Sequence, residues 1–130
     1  MSGDVKPRVI LVDDDESIRI WLKGLLVALG CEIAGEAANG RDGVELFKKE
    51  RPDLVFLDVQ MPELSGDLAL EYILAADPDA RVILLTSVDS SRFIYERMEA
   101  GAHYYLSKHA PPDEFRAAVE EQINQLKQIP

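Results

Sequence analysis

The chain has 130 residues, the usual length of a single domain with one hydrophobic core. Its 24 acidic and 14 basic residues give a formal net charge of −10, which disfavours direct binding to nucleic acid or to an anionic membrane surface. A single cysteine excludes an internal disulfide bond, and no apolar run reaches the roughly 18 residues of a membrane span, so we expect a cytoplasmic protein.

The first part of the chain predicts two strands and two helices in alternation. Arg8–Val12 is an apolar run typical of a buried strand, and the alternating segment Glu32–Ala37 predicts a weaker one. The helix between them is capped at its start by Asp15 or Ser17, and Gly30 is expected to close it in a left-handed conformation. The apolar positions of the two helices are Ile18, Leu22, Leu25, Leu26 and Leu29 in the first, and Val44 and Phe47 in the second.

The rest of the chain continues the alternation with three strands and three helices. Apolar runs at 54–57, 82–85 and Tyr104–Ser107 predict buried strands. Helices are predicted at about 67–75, at about 90–100 before Gly101, and from Pro111-Pro112 onward. Their apolar positions include Leu70, Ile73 and Leu74 in the third helix, and Phe115, Val119, Ile123 and Leu126 in the fifth.

Five strands that alternate with five helices predict an α/β fold, a doubly wound five-stranded parallel sheet with helices on both faces. We expect one domain over residues 1–130, with an ordered core of about 8–127. The ligand site of such a sheet lies beyond the carboxyl ends of the strands, near the point where the winding reverses. The strand ends bring these polar residues to that edge: Asp13, Asp14, Asp58, Thr86, Ser87 and Lys108.

Three of these residues are acids, and their repulsion predicts a metal site. Two carboxylates about 4 Å apart repel by roughly 4 kcal/mol at an effective dielectric near 20, so three acids need a cation or shifted pKa values. Mg²⁺, with Mn²⁺ as a substitute, is a hard ion that prefers such oxygen ligands. Each residue alone has an ordinary alternative: the aspartates cap a helix, the hydroxyls end a strand and the lysine is solvated. Their joint placement favours a site.

Several motifs together resemble the receiver domain of two-component response regulators. They are ILVDDD at 10–15, LVFLD at 54–58 followed by MP at 61–62 and SG at 65–66, VILLTS at 82–87, and GA at 101–102 with Tyr105 and Lys108 after it. The likeness covers the chain from Val9 to about Leu126. It implies a flavodoxin-like fold of the receiver type, similar to single-domain chemotaxis regulators.

The resemblance also implies a phosphoacceptor and its metal ligands. Asp58 would take a phosphoryl group from the phosphohistidine of a sensor histidine kinase or a histidine phosphotransfer protein. Asp14 would bind Mg²⁺ directly and Asp13 would help through water, while Asp58 and the backbone carbonyl of Gln60 would complete the coordination. Such a protein catalyses only its own phosphorylation and dephosphorylation and is otherwise not an enzyme.

The remaining implied residues bind the phosphoryl group or transmit the signal. Thr86 and Ser87 would bind the group, and Lys108 would pair with it. Tyr105 would be the switch aromatic, which turns inward when Thr86 moves toward the phosphoryl group. The surface around Tyr105 would then meet an output protein that the sequence does not identify.

The resemblance is incomplete after Lys108, where the family commonly has proline. His109 follows instead, and because a non-proline cis bond costs roughly 2.5–4 kcal/mol we expect a trans bond there. The run at 108–112 is more like the branch of the family that carries a DNA-binding partner domain. Either the regulator works alone, or the chain is a piece of a longer regulator with such a domain.

Three other functions compete with the receiver hypothesis. A haloacid-dehalogenase-like phosphatase also forms an aspartyl phosphate, but it carries a second acid where this chain has Gln60. A flavin-binding electron carrier needs a phosphate loop after the first strand, and none is found. An interaction module that has lost phosphorylation is disfavoured because Asp58, Thr86 and Lys108 are all present.

Overall fold

The computed structural model describes residues 6–61, 63–88 and 90–128, and Pro62 of the MP motif lies outside them. Five strands and five helices alternate in this part of the chain: β1 (Arg8–Val12), α1 (Glu16–Ala28), β2 (Glu32–Ala37), α2 (Gly40–Glu50), β3 (Leu54–Asp58), α3 (Gly66–Ala76), β4 (Val82–Thr86), α4 (Ser91–Glu99), β5 (Tyr104–Ser107) and α5 (Pro112–Lys127). The strands form one parallel sheet in the order β2-β1-β3-β4-β5. The predicted doubly wound α/β fold is confirmed.

The strand order determines where a ligand site can form. The chain runs outward from β1 to β2 and then returns past β1 to β3, so the winding reverses between β1 and β3. Helices α1 and α5 bury their apolar faces in one core cluster, and α2 and α3 bury theirs in another on the opposite face of the sheet. Alternate residues of β1 point to the two faces, with Val9 and Leu11 in the first cluster and Ile10 and Val12 in the second.

The two central strands next to the site are each one residue longer than their apolar runs. β3 includes Asp58 and β4 includes Thr86, because both polar residues still pair with the neighbouring strand. The expectation that β5 is buried on both faces is wrong. Tyr104 is exposed and Tyr105 half-buried, because β5 is an edge strand and α4 beside it has no buried residue of its own.

The predicted helix ends are confirmed in their local chemistry. Asp15 caps α1 by accepting a hydrogen bond from the backbone nitrogen of Ser17 at 2.9 Å. Gly30 and Gly101 have φ values of 87° and 115°, the left-handed backbone that favours glycine after a helix. The peptide bond after Lys108 is trans, as predicted. Among the described residues, no helix is both long enough and apolar enough to cross a membrane.

Candidate functional site

Three neighbouring strands end in buried polar side chains. Asp13 follows β1, Asp58 is the last residue of β3 and Thr86 is the last residue of β4, and they are 1%, 3% and 2% exposed. Among the residues that the structure describes, the one other buried polar residue is Gln122. Buried carboxylates are costly unless a cation or hydrogen-bond donors face them. The carboxyl edge of the sheet is therefore the place to look for a ligand.

Lys108 brings the missing positive charge to this edge. Its Nζ lies 2.9 Å from Oδ2 of Asp13 and 3.2 Å from Oδ2 of Asp58. The lysine follows β5, and its backbone nitrogen donates to the carbonyl oxygen of Thr86 at 2.7 Å, so the strand pairing fixes where the side chain begins. Sequence reasoning placed Lys108 at the site, and the structure brings it into contact with both buried acids.

Asp13, Asp14 and Asp58 each offer a carboxylate oxygen within 4.8 Å of the others. Two of these acids are buried, but Asp14 is exposed, so a cation bound here would have protein on one side and water on the other. Helix capping does not account for the cluster, because Asp15 caps α1. The three predicted acids therefore form an oxygen-rich group of the kind that hard divalent cations bind.

The turns after β1 and β3 orient the two buried carboxylates. Oδ1 of Asp13 accepts from the backbone nitrogen of Asp15 at 2.8 Å, and Oδ1 of Asp58 accepts from that of Gln60 at 3.1 Å. The opposite oxygen, Oδ2, is the one that faces Lys108 in both acids. Each acid is thus held by a backbone donor on one oxygen and presents the other to the cleft.

Electrostatics in the cleft keep the lysine charged and raise the pKa of the central acid. Burial and the neighbouring charge of Asp13 raise the pKa of Asp58 to about 6, although the Gln60 amide and Lys108 act in the opposite direction. Burial lowers the pKa of Lys108, but the carboxylates of Asp13 and Asp58 outweigh it and raise the pKa overall. At neutral pH the cleft therefore contains a charged ammonium group beside a carboxylate that is costly to ionise.

This cost makes metal-free stability depend on pH. An acid whose pKa is higher in the folded chain than in the unfolded chain stabilises the fold while protonated, so the benefit of Asp58 is present below about pH 4 and lost as the pH rises to about 6. In EDTA at about pH 7.5, we expect Asp58→Asn to be more stable than the wild type by on the order of 2 kcal/mol, and nearly equal to it at about pH 4. Urea unfolding measures the difference. An equal difference in stability at both pH values would contradict the raised pKa of Asp58 in the folded chain.

The other predicted residues lie around this cleft. The hydroxyl Oγ1 of Thr86 accepts from the backbone nitrogen of Val88 at 2.9 Å, and Ser87 between them is exposed. Gln60 is exposed at the end of the turn that follows Asp58. Tyr105 lies within the edge strand β5, where it pairs with Leu84, and is half-buried against the core cluster on the α2 and α3 face.

Sequence reasoning missed the structural reasons for two residues near the site. A Cβ atom on Gly66 would lie 2.2 Å from the backbone oxygen of Asp58, so only glycine lets α3 begin this close to the end of β3. Arg19 donates to the backbone oxygen of Asp13 at 2.7 Å. The available signal for Arg19 was its charge, since a basic residue in the first turns of a helix opposes the helix dipole.

Both the sequence and the fold are similar to those of known response regulators. Residues 9–120 match the model of the response regulator receiver domain. The chemotaxis protein CheY of Thermotoga maritima is 38% identical over 105 residues, which are 81% of this chain and 88% of that protein. In the CheX-CheY-BeF3-Mg²⁺ complex of Borrelia burgdorferi, one chain superposes with a TM-score of 0.83 at 26% identity, over 92% of this chain and 87% of that one. A LuxR-family two-component response regulator from Aurantimonas has a TM-score of 0.83 at 30% identity, covering 93% and 87%.

Proposed function

This chain belongs to the response regulator receiver domain family, and we propose that it is the phosphoacceptor of a two-component system, modified on Asp58. The observation that carries the proposal is the meeting of Asp58 with two further acids and Lys108 at the carboxyl edge of the sheet. Incubation with a small acyl phosphate and a divalent cation tests it. Receiver domains are signalling proteins, and catalysis here is limited to the protein's own phosphorylation and dephosphorylation.

The chemistry asks little of the protein beyond position and charge. A carboxylate oxygen of Asp58 forms a bond to phosphorus while the bond from phosphorus to the donor's histidine nitrogen breaks. Lys108, 3.2 Å from Asp58, is close enough to pair with the oxygens of the transferred group. The hydroxyl of Thr86 and that of Ser87 beside it are the proposed hydrogen-bond donors to the same oxygens.

The donor set fits the Mg²⁺ ion that this family uses. Asp13, Asp14 and Asp58 offer hard oxygen ligands, and the exposure of Asp14 leaves an open side for water, which Mg²⁺ retains when it binds. We assign the direct contact to Asp14 and Asp58 with the carbonyl of Gln60, and a water-mediated one to Asp13. When bound, the ion neutralises charge on the phosphoryl oxygens, and Mn²⁺ can replace it.

The proposed phosphoryl donor is the one implied by the family to which the chain belongs. A phosphohistidine on a sensor histidine kinase or on a histidine phosphotransfer protein supplies the group, and the proposed location of this chain is the cytoplasm. The net charge of −10 argues against nucleic acid as the direct target. The output is therefore another protein, or a partner domain if the chain is part of a longer regulator.

A phosphatase of the haloacid-dehalogenase type is the rival with related chemistry. That mechanism needs a general acid two residues after the nucleophile, and Gln60 has no acidic proton to give. Steady hydrolysis of a phosphate ester by the purified protein would favour the phosphatase. An interaction module that works without phosphorylation predicts no labelling of Asp58 at all.

Helix α4 is the element best suited to transmit the signal. It has no fully buried residue, and only Phe93 and Met98 of its side chains pack in part against the core cluster on the α2 and α3 face. A 2.9 Å ion pair joins Arg97 to Asp67 of α3, and the Arg97 guanidinium is 3.3 Å from the ring centre of Phe93. An element with so little burial changes position at low cost. Phosphorylation therefore acts as a population shift: Thr86 moves toward the phosphoryl group, and Tyr105 turns inward.

The population shift predicts where NMR signals change. Moving an equilibrium from 1:99 to 99:1 takes about 5.5 kcal/mol, which charge-assisted bonds from Thr86 and Lys108 to the phosphoryl group can supply. We expect amide shifts on phosphorylation over α4, β5 around Tyr105 and α5, beyond the immediate surroundings of Asp58. Two-dimensional NMR before and after addition of the donor measures them. Shifts confined to the rim of Asp58 would exclude this switch.

Val88 is proposed to control how long the phosphoryl group persists. Hydrolysis needs a water in line with the new bond, and the side chains of Gln60 and Val88 are the proposed neighbours of that approach. Gln60 holds water but is too weak a base to activate it, while half-buried Val88 offers no hydrogen bond from its side chain. The aspartyl phosphate should consequently be long-lived for this family.

A decay time course after removal of the donor tests the shielding by Val88. We expect Val88→Ala to speed dephosphorylation by opening the approach, and Val88→Glu to speed it by about tenfold or more by also orienting a water. The Mg²⁺ requirement should not change. The backbone amide of Val88, which donates to Thr86, is retained in both variants. Equal or slower decay in both would show that water access is controlled elsewhere.

A further inference from the structure

Arg19 connects the acidic loop to the neighbouring strand. From α1 its Nη1 donates to the backbone oxygen of Asp13 at 2.7 Å, and its Nε donates to Oε1 of Glu36 in β2 at 3.0 Å. The side chain is only 14% exposed, so these contacts are largely protected from water. Such a planar fork can bind two oxygens at fixed angles, which a lysine cannot do.

Glu36 is itself fixed, so it can act as a brace. Its second oxygen, Oε2, is 2.6 Å from Nζ of Lys23, one turn further along α1 than Arg19. The backbone nitrogen of Asp13 donates to the carbonyl of Ala37, next to Glu36 in β2, at 3.0 Å. The peptide groups on both sides of Asp13 are therefore tied down, one by the backbone of β2 and the other by Arg19.

The tie to Arg19 bears on two proposed metal ligands at once. The carbonyl of Asp13 belongs to the peptide unit that joins Asp13 to Asp14, so its direction sets the start of the Asp14 side chain as well. Asp14 is exposed, so burial does not fix its side chain. The plane of this peptide is consequently a main determinant of where the Asp14 carboxylate lies.

We propose that Arg19, braced by Glu36, is a positioning residue that orients Asp13 and Asp14 for a divalent cation. The proposal rests on the proposed function, since it assumes that the acids bind a metal. Residues that orient metal ligands without touching the metal commonly change affinity by about 10- to 100-fold when they are replaced. Arg19 makes the same kind of contact, directed to a backbone oxygen beside the ligands.

Arg19 could affect the site through its charge or by orienting the loop, and the two roles predict opposite changes in metal affinity when Arg19 is replaced. If the guanidinium mattered only as a positive charge near the site, its removal would reduce repulsion and tighten binding of a dication. If it matters by orienting the loop, its removal weakens binding. The sign of the change thus separates the two explanations.

The experiment measures Mn²⁺ affinity by water relaxation for the wild type and Arg19→Met. Arg92→Met is the matched control, because the Arg92 side chain is 88% exposed and pairs with Glu96 of its own helix, α4. We expect Arg19→Met to bind Mn²⁺ about tenfold more weakly and Arg92→Met to bind like the wild type. In phosphorylation assays, Arg19→Met should need more Mg²⁺ for half-maximal rate while keeping most of its rate at saturating Mg²⁺.

Two further variants complete the test. Glu36→Gln keeps an oxygen that can accept from Arg19 Nε and should bind Mn²⁺ almost normally. Arg19→Lys keeps the positive charge but loses the planar guanidinium, and it should bind Mn²⁺ more weakly than the wild type. Thermal unfolding in EDTA identifies any variant that is unfolded at the assay temperature. If Arg19→Met is unfolded there, the Mn²⁺ affinity of Arg19→Lys tests the proposal in its place. Equal or tighter binding by the folded arginine variants overturns the proposal. Absence of Mn²⁺ binding by the wild type would instead refute the proposed function.

Discussion

We expect the Asp58→Asn variant to take up no phosphoryl group from a small acyl phosphate under conditions in which the wild type is modified once. The amide that replaces the carboxylate has a similar shape but is not a nucleophile at neutral pH. Because the hydrogen bond from the Gln60 amide needs only an oxygen acceptor, the variant can keep the turn after β3. The loss of labelling would then report chemistry and not misfolding.

Intact-protein mass spectrometry after incubation with the donor and Mg²⁺ measures the modification, and omission of the metal should prevent it in the wild type. Asp79→Asn is the matched control, since Asp79 is an exposed acid in the turn between α3 and β4, at the opposite end of the sheet. It should be modified like the wild type. Undiminished labelling of Asp58→Asn would show that another residue accepts the phosphoryl group.

The alternation of periods in the sequence predicted the order of elements well, because buried strands and amphipathic helices require different apolar spacings. The edge strand β5 shows the limit of this reasoning. Tyr104 and Tyr105 are aromatic residues that suit a buried strand or a half-covered one, and whether a strand is covered depends on its neighbours. The lack of a buried residue in α4 follows from the packing of the whole domain and leaves no local pattern.

The acids and Lys108 could be found from the sequence because strand ends in a parallel sheet meet at one edge. Their pairing could not: it is the path of the lysine side chain that brings Nζ to Oδ2 of both Asp13 and Asp58. Arg19 illustrates a further limit. Its contact is to a backbone oxygen, which every residue has, so no partner residue type marks the interaction in the sequence.

Replacement of Asp14 by alanine should remove most of the Mn²⁺ binding measured by water relaxation. The variant loses a direct ligand and one negative charge together, and charge count strongly affects the affinity of oxygen-ligand sites. A reduction on the order of a hundredfold is expected from the loss of one carboxylate beside a dication. Because Asp14 is exposed and its removal ends its own repulsion of Asp13 and Asp58, metal-free stability should not fall.

The neighbouring acid provides the control for Asp14→Ala. Asp15→Asn removes a negative charge one residue away, but asparagine preserves the cap that Asp15 gives to α1. If affinity depended only on the total charge of the loop, both variants would weaken Mn²⁺ binding to a similar extent. A large loss in Asp14→Ala with a small one in Asp15→Asn would identify a ligand by its geometry, since only Asp14 places an oxygen within 4.8 Å of those of Asp13 and Asp58. Unchanged affinity in Asp14→Ala would reject Asp14 as a ligand and leave Asp13 and Asp58 to bind the ion without it.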